Sequence, residues 1–146
     1  MKTLTNDHNT VKLSCRNVWK VYGPQPEKFF DGSQGRFADA RLHVDEIRSG
    51  LHIVANADVS FDVHVGEIFV IMGLSGSGKS TLLRCISRLT DASHGKIIIN
   101  GQNLLELNNK QLIELRRNKM GMVFQNFGLL PHKTVLENIA FPLQVK

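Results

Sequence analysis

Eight consecutive residues carry the clearest chemistry in this sequence: Gly73, Leu74, Ser75, Gly76, Ser77, Gly78, Lys79 and Ser80. They fit the pattern G-x-x-x-x-G-K-[ST], which chance would place in a chain of 146 residues on the order of half a per cent of the time. Gly73, Gly76 and Gly78 permit backbone conformations closed to other residues and let amides come close to oxygen atoms. Successive N–H groups leading into a helix N-terminus make a concave anion site. Lys79 adds a mobile point charge for β and γ phosphates. Ser80 offers a hydroxyl to Mg²⁺, whose other ligands would be phosphate oxygens and water. Thr81 can donate to an α-phosphate oxygen. Together these residues would grip the polyphosphate of a nucleoside triphosphate. The plainer reading is a glycine-rich turn that binds nothing, and the flanking elements weigh against it.

Those flanking elements follow from the apolar spacing. Ile68-Phe69-Val70-Ile71-Met72 enters the loop as a continuous apolar run, which suits a central parallel strand covered on both faces. Lys79 to Leu89 leaves it as a helix, with Leu82, Ile86 and Leu89 on one face and Cys85 packed beside them as a small apolar residue. Upstream, Val11, Leu13 and Cys15 alternate with polar residues and lead through Val18 to Tyr22, where Gly23-Pro24 breaks the strand. Residues 24–52 hold no sustained strand pattern, only a short helix over Asp39 to Arg48 ended by Ser49-Gly50, so they read as an insertion. Ile53, Ala55, Ala57, Val59, Phe61, Val63 and Val65 then recur at a period of two, with Asn56, Asp58, Ser60, Asp62 and His64 on the wet face. His64 reads there as a satisfied surface histidine.

Beyond the loop, Ser93-His94-Gly95 turns into the strand Lys96 to Ile99, closed by Asn100-Gly101, a strong hairpin signal. Asn109 to Arg117 forms a helix with Leu112 and Leu115 inward. Gly121 to Phe124 is a second short apolar strand ending at Gln125, and Thr134 to Ala140 opens another helix. Thr134 and Glu137 have the spacing of a reciprocal cap.

Composition bounds the rest. Hydrophobic residues are 42% and charged residues 21%, as in ordinary globular domains. The longest purely apolar run falls far short of the roughly 20 residues that span a bilayer. The polar start Met1 to His8 lacks a signal's apolar core, so a cytoplasmic location is expected. Cys15 and Cys85 have no metal-ligand spacing and fit free thiols in a reducing compartment. The net charge of +5 is scattered, without a basic stripe or aromatic platforms, so nucleic-acid binding is not expected.

Residues around the loop narrow its class. Gly66-Glu67 precedes Ile68, and Ser80-Thr81-Leu82-Leu83-Arg84 follows. Then come Gly95 to Gly101, Arg116-Arg117, Met122-Val123-Phe124-Gln125 and Leu130-Pro131-His132-Lys133-Thr134-Val135-Leu136-Glu137-Asn138. Their order and spacing resemble the ATP-binding subunits of ABC transporters from Val11 to the end. The wording Phe69 to Gly76 and the insertion after Tyr22 resemble importers for glycine betaine, proline and similar osmoprotectants. The resemblance implies an α/β P-loop NTPase fold, with an incomplete, mainly parallel core sheet, helices and an antiparallel β subdomain. It divides the chain into a strand region (11–22), an insertion (23–52), a core (53–125) and the start of a helical subdomain (126–146).

Further roles come from the resemblance alone. Tyr22 would stack on adenine, where by itself it reads as a strand-end tyrosine with its hydroxyl in water. Gln125 would join the Mg²⁺ or the attacking water. Residues 126–133, with Phe127, Leu129 and Leu130, would touch a membrane-spanning permease subunit. A second ATP-binding subunit would complete a homodimer, a solute-binding protein would act indirectly, and the protein would sit peripherally on the inner face of the cell membrane.

Hydrolysis also needs a second carboxylate, a water-positioning residue and charge stabilisation at the γ-phosphate. The family's signature helix, its Asp-Glu strand end and its switch histidine have no counterpart here, and Glu106, Glu114 and Glu137 fall on solvated helix faces. The chain is therefore expected to be an N-terminal fragment that binds ATP without hydrolysing it, with apolar faces open and solubility low. Three other readings compete with this one: a non-catalytic nucleotide-binding module, an ABC ATPase for another solute such as an amino acid, and another P-loop enzyme such as a kinase. The segment from Met122 to Asn138 argues against the last.

Overall fold

The computed structural model describes residues 10–30, 40–48, 50–125 and 128–144. Two compact units divide the chain, Met1–Leu107 and Asn108–Lys146.

The first unit is built on a four-stranded antiparallel sheet in the order β2-β1-β3-β4. Its strands are β1 (Val11–Tyr22), β2 (Ile53–His64), β3 (His94–Ile99) and β4 (Gln102–Asn103). The β3–β4 turn is the predicted Asn100-Gly101 pair, with φ of +50° and +78°. Both angles match the turn whose twist suits a tight hairpin. The first two strands kink where Asn17 and Asp58 take φ near +48° and +49°. Asn17 holds the kink by donating from Nδ2 to Asp58 Oδ1 at 2.7 Å and from its N–H to Ser60 Oγ at 2.8 Å.

That kink alters the alternation read for β2. Ile53, expected inward, is 69% exposed, while Asn56, expected outward, is buried. A residue with positive φ does not continue the pleat, so side chains on either side of it change face.

Between β1 and β2 lie a short 3₁₀ turn (Pro26–Phe29) and helix α1 (Ala40–Arg48). The predicted start Asp39 and stop Ser49 lie outside the described residues. Trp19, Val21 and Ile47 are almost fully buried and pack with Phe29, Phe30, Val44, Val54 and Ala57. Phe30 tilts against Trp19 and stacks on His94, with ring centres 5.8 and 4.9 Å apart. The 3₁₀ turn and α1 thus lay an apolar patch on the sheet next to the end of β1.

Helix α2 (Lys79–Ile86) packs against β1 and β2, burying Leu82 and Cys85. It stops short of the predicted Leu89, which is 49% exposed. The cause is Arg88, whose backbone turns left-handed at φ +51°. Its guanidinium donates to Leu104 O and Leu107 O at 3.0 and 2.6 Å and to Asp91 Oδ1 at 2.9 Å. Those bonds tie the end of α2 to the 3₁₀ turn Leu104–Glu106.

The parallel part of the expected sheet is not formed among the described residues. The run 68–72 has no ladder partner, and Ile68, Val70 and Met72 are 91%, 66% and 84% exposed. Phe69 is held by stacking on Phe61, with centres 4.7 Å apart. A parallel strand needs neighbours delivered by crossover connections. The four strands among the described residues pair antiparallel with their neighbours in one sheet, and none of them lends an edge to this run.

The second unit holds α3 (Asn109–Lys119) and α4 (Val135–Gln144). Asn108 and Gln111 cap α3 reciprocally, and Leu112 and Leu115 are buried as expected. The Thr134–Glu137 cap is present too: Thr134 N–H donates to Glu137 Oε2 at 2.7 Å, and Glu137 N–H donates to Thr134 Oγ1 at 3.3 Å. Residues 121–124, expected as a strand, have no ladder, and Val123 is 98% exposed.

Candidate functional site

The glycine loop bends at Gly76 (φ +77°) and again at Gly78 (φ +87°), which stands at the N-cap of α2. No side chain among the described residues caps this helix, which leaves N–H groups of its first turn open to an outside acceptor. Gly73 differs from the other two. Its φ is not left-handed, and a side chain there would instead meet Ser77 Oγ at 2.7 Å. Gly78 is constrained twice over, since an added Cβ would lie 2.1 Å from Ala55 O and 2.8 Å from Asn56 Nδ2. Loop and β2 therefore touch backbone to backbone at this point.

Lys79 folds back over the loop. Its ammonium donates to Gly73 O at 2.8 Å, Leu74 O at 2.6 Å and Ser77 Oγ at 3.2 Å. The loop thus holds a positive charge against its own carbonyls, next to the open N-terminal end of a helix. Both features favour an anion.

A cleft of about 430 Å³ runs beside this loop, lined by Tyr22, Ile53, Val54 and Ala55 on the strand side and by Gly76 to Thr81 on the loop side. The structure therefore brings Tyr22 together with the loop residues Gly76, Ser77, Gly78, Lys79, Ser80 and Thr81. Gly73, Leu74 and Ser75 lie on the exposed outer arm of the loop. Tyr22 is 40% exposed. Lys20 holds its ring from one side, with the ammonium 4.8 Å from the ring centre and bonded to Asp91 O at 2.8 Å. The chain entering β2 closes on the residue after Tyr22. His52 lies against Gly23, where a Cβ would be 2.3 Å from the imidazole, and donates from Nε2 to Pro24 O at 2.9 Å.

Such a cleft offers an aromatic face at one end and amides, hydroxyls and an ammonium at the other. That arrangement suits a ligand with a flat ring and a polyanionic tail. The glycines leave room at the loop that side chains would fill, so the residues present fit a polyphosphate.

Gln125 belongs to the second unit, in exposed chain past α3. Asn126 and Phe127 lie outside the described residues. Leu129 is 66% exposed. The turn before α4 is fixed by Asn138, which accepts from Leu130 N–H at 2.8 Å and donates to Leu130 O, Lys133 O and Thr134 O at 3.2, 3.1 and 2.9 Å. The three acids assigned to solvated faces are exposed and locally bonded: Glu106 to Asn103, Glu114 to Asn118 and Glu137 to Thr134. His64 is half-exposed beside Glu67, its Nδ1 3.2 Å from the carboxylate.

Sequence reasoning missed Lys20, Asn56 and Asn138. For Asn56 a signal existed, because asparagine is disfavoured inside a strand and stands out among Val54, Ala55 and Ala57.

Comparison with known proteins decides the class. The ABC transporter family profile matches residues 56–146. The chain belongs to the ABC transporter family. Within that family it is 60% identical over 134 residues to the trimethylamine N-oxide transport system ATP-binding protein TmoW of Pelagibacter ubique, covering 92% of this chain and 38% of that protein. It is 39% identical to the glycine betaine/proline betaine transport system ATP-binding protein ProV of Escherichia coli, covering 92% of this chain and 33% of that one. This ABC chain thus spans about a third of the length of these relatives. Among solved structures, a dimeric ATP-binding cassette in a post-hydrolysis state with ADP and Pi is similar at a TM-score of 0.68 and 33% identity, over 92% of this chain and 47% of the other. The α/β fold of the ABC ATPase type therefore holds. No described helix is long and apolar enough to cross a membrane, and no described group of His, Cys, Asp and Glu could hold a metal by itself.

Proposed function

We propose that this chain is the nucleotide-gripping part of an ATP-binding subunit that energises import of a small methylated-amine osmolyte. One observation carries the reading: Tyr22 and residues 76–81 wall a single cleft, with the Lys79 ammonium at the phosphate end. Tyr22 would stack on adenine, the amides of the loop and first turn of α2 would hold phosphate oxygens, and Thr81 would donate to the α-phosphate. Ser80 would present its hydroxyl to Mg²⁺. A bound Mg²⁺ would supply charge neutralisation between the phosphates. The solute class is supported by the relatives, named for trimethylamine N-oxide and glycine betaine. The partners would be membrane-spanning permease subunits, a second copy of the ATP-binding subunit and, indirectly, a solute-binding protein. The site of action would be the cytoplasmic face of the membrane.

Lys79→Ala should weaken MgATP binding by about 10-fold to 100-fold, the worth of charge-assisted hydrogen bonds. Titration calorimetry with both proteins reads this directly, and equal affinities would refute the site. Uptake of labelled trimethylamine N-oxide, glycine betaine and methionine by cells with and without the gene tests the solute. Loss of methionine uptake alone would move the protein to another class of importer.

A second reading, a module that binds ATP without hydrolysing it, is favoured by the lining of the cleft, which includes no acidic side chain among the described residues. Neither reading expects phosphate release from the 146-residue chain alone. Turnover that disappears in Lys79→Ala would rule the non-catalytic module out.

A further inference from the structure

Asn56 lies within β2 and is only 8% exposed. Its Nδ2 donates to Gly78 O at 3.2 Å, and its Oδ1 is buried without a hydrogen-bond partner among the described residues. The amide cannot be turned over to mend this, because Oδ1 would then face the Gly78 carbonyl, acceptor against acceptor. A buried acceptor left unmade lowers stability, and an apolar side chain of similar size would remove that penalty. Asparagine here is thus a poor choice for holding the fold together, yet it makes one specific bond to the loop.

That bond controls an orientation. The Gly78 carbonyl and the Lys79 N–H belong to one planar trans peptide, so they point in opposite directions. The carbonyl is fixed at two points, by Asn56 Nδ2 and by Leu82 N–H at 2.8 Å. Fixing it fixes the Lys79 N–H on the other side of the plane, out of the N-terminal end of α2. The close approach of Gly78 to Ala55 O lets a side chain as short as asparagine reach across.

We propose that Asn56 is a positioning residue for the phosphate-binding amides, setting the Gly78–Lys79 peptide from a strand outside the glycine motif. The inference rests on the reading of the loop as a polyphosphate site. It predicts that stability and affinity separate, which a merely structural residue would not produce.

The test uses the 146-residue chain with Mg-ATP and with pyrophosphate as probes, by calorimetry, alongside thermal melts. In Asn56→Leu both affinities should fall by about 5-fold to 10-fold, the range for one lost hydrogen bond at a preorganised site, while Tm stays level or rises. Asn56→Asp keeps the shape but places an acceptor against Gly78 O, and should lose at least as much affinity. Binding of both probes within twofold of wild type in Asn56→Leu would overturn the inference. So would a Tm that falls with affinity in both variants. Lys79→Ala separates the two levels. If it leaves ATP binding intact, the site reading fails. If it weakens binding while Asn56→Leu matches wild type, only the role of Asn56 fails.

Discussion

Replacing Gly78 by alanine should be among the most damaging single-methyl additions in this chain, and Gly76→Ala is its natural control. Both glycines have left-handed φ, +87° and +77°. Either alanine therefore carries the left-handed penalty of about 1–2 kcal/mol. Both variants gain equally from a stiffer unfolded chain, so that effect cancels between them. The surroundings differ: at Gly76 a new Cβ meets nothing within 4 Å, whereas at Gly78 it falls 2.1 Å from Ala55 O. A backbone oxygen in a strand cannot swing aside as a flexible side chain would. Overpacking of this kind costs about 1–3 kcal/mol more. Gly78→Ala should thus lose about 2–5 kcal/mol, a large share of the roughly 5–15 kcal/mol of a typical domain. Trp19 is the single tryptophan and is 1% exposed, so its fluorescence reports unfolding in urea. With a denaturant slope of about 2 kcal/mol per molar, the midpoint of Gly78→Ala should lie about 0.5–1.5 M below that of Gly76→Ala. Equal midpoints would refute the backbone contact between loop and strand.

Three further outcomes are expected. Tyr22→Ala should weaken ATP by about 1–3 kcal/mol, the worth of stacking on a base, and leave pyrophosphate affinity unchanged, as paired calorimetric titrations would read. Burial pushes the Cys15 thiol up to about 11 and raises Cys85 as well, so neither should react with a thiol reagent at pH 8 until the chain is unfolded. The Thr134 N–H and hydroxyl hold Glu137 below its ordinary 4.5, so this cap contributes above pH 4.5 and is lost as pH falls through the lower folded value. Protection of the amides at the start of α4, taken relative to their intrinsic exchange rate at each pH, should fall in acid, and Glu137→Gln should show the weaker dependence on pH.

What was legible in the sequence was local. The Asn100-Gly101 turn, the Thr134 cap and the inward Leu112 and Leu115 each depend on neighbours a few residues away, and each stands where expected. The glycine loop was legible for the same reason, its chemistry being written in consecutive residues. The end of α2 was not, because Arg88 finds its acceptors at Leu104 and Leu107, far along the chain. The facing of β2 was lost at Asp58, where a bond from Asn17 on another strand sustains the kink. The strand expected at 68–72 failed as an inference from composition, since an apolar run says that a segment seeks cover and not that a neighbour supplies it. Tyr22 entered by resemblance, and only the folded chain set it opposite the loop.

The three bonds of Lys79 bear on selectivity. An ammonium has three N–H donors, and here Gly73 O, Leu74 O and Ser77 Oγ take all three. An incoming ligand finds no idle donor on this side chain. It must outbid the carbonyls, trading one bond for another with little net gain in number. A neutral guest such as a nucleoside has nothing stronger to offer in that trade. A multiply charged terminal phosphate does, because its full charge attracts the ammonium more strongly than a neutral carbonyl dipole can. The lysine would thus act as a threshold set by the chain against itself, admitting ligands by the charge they bring.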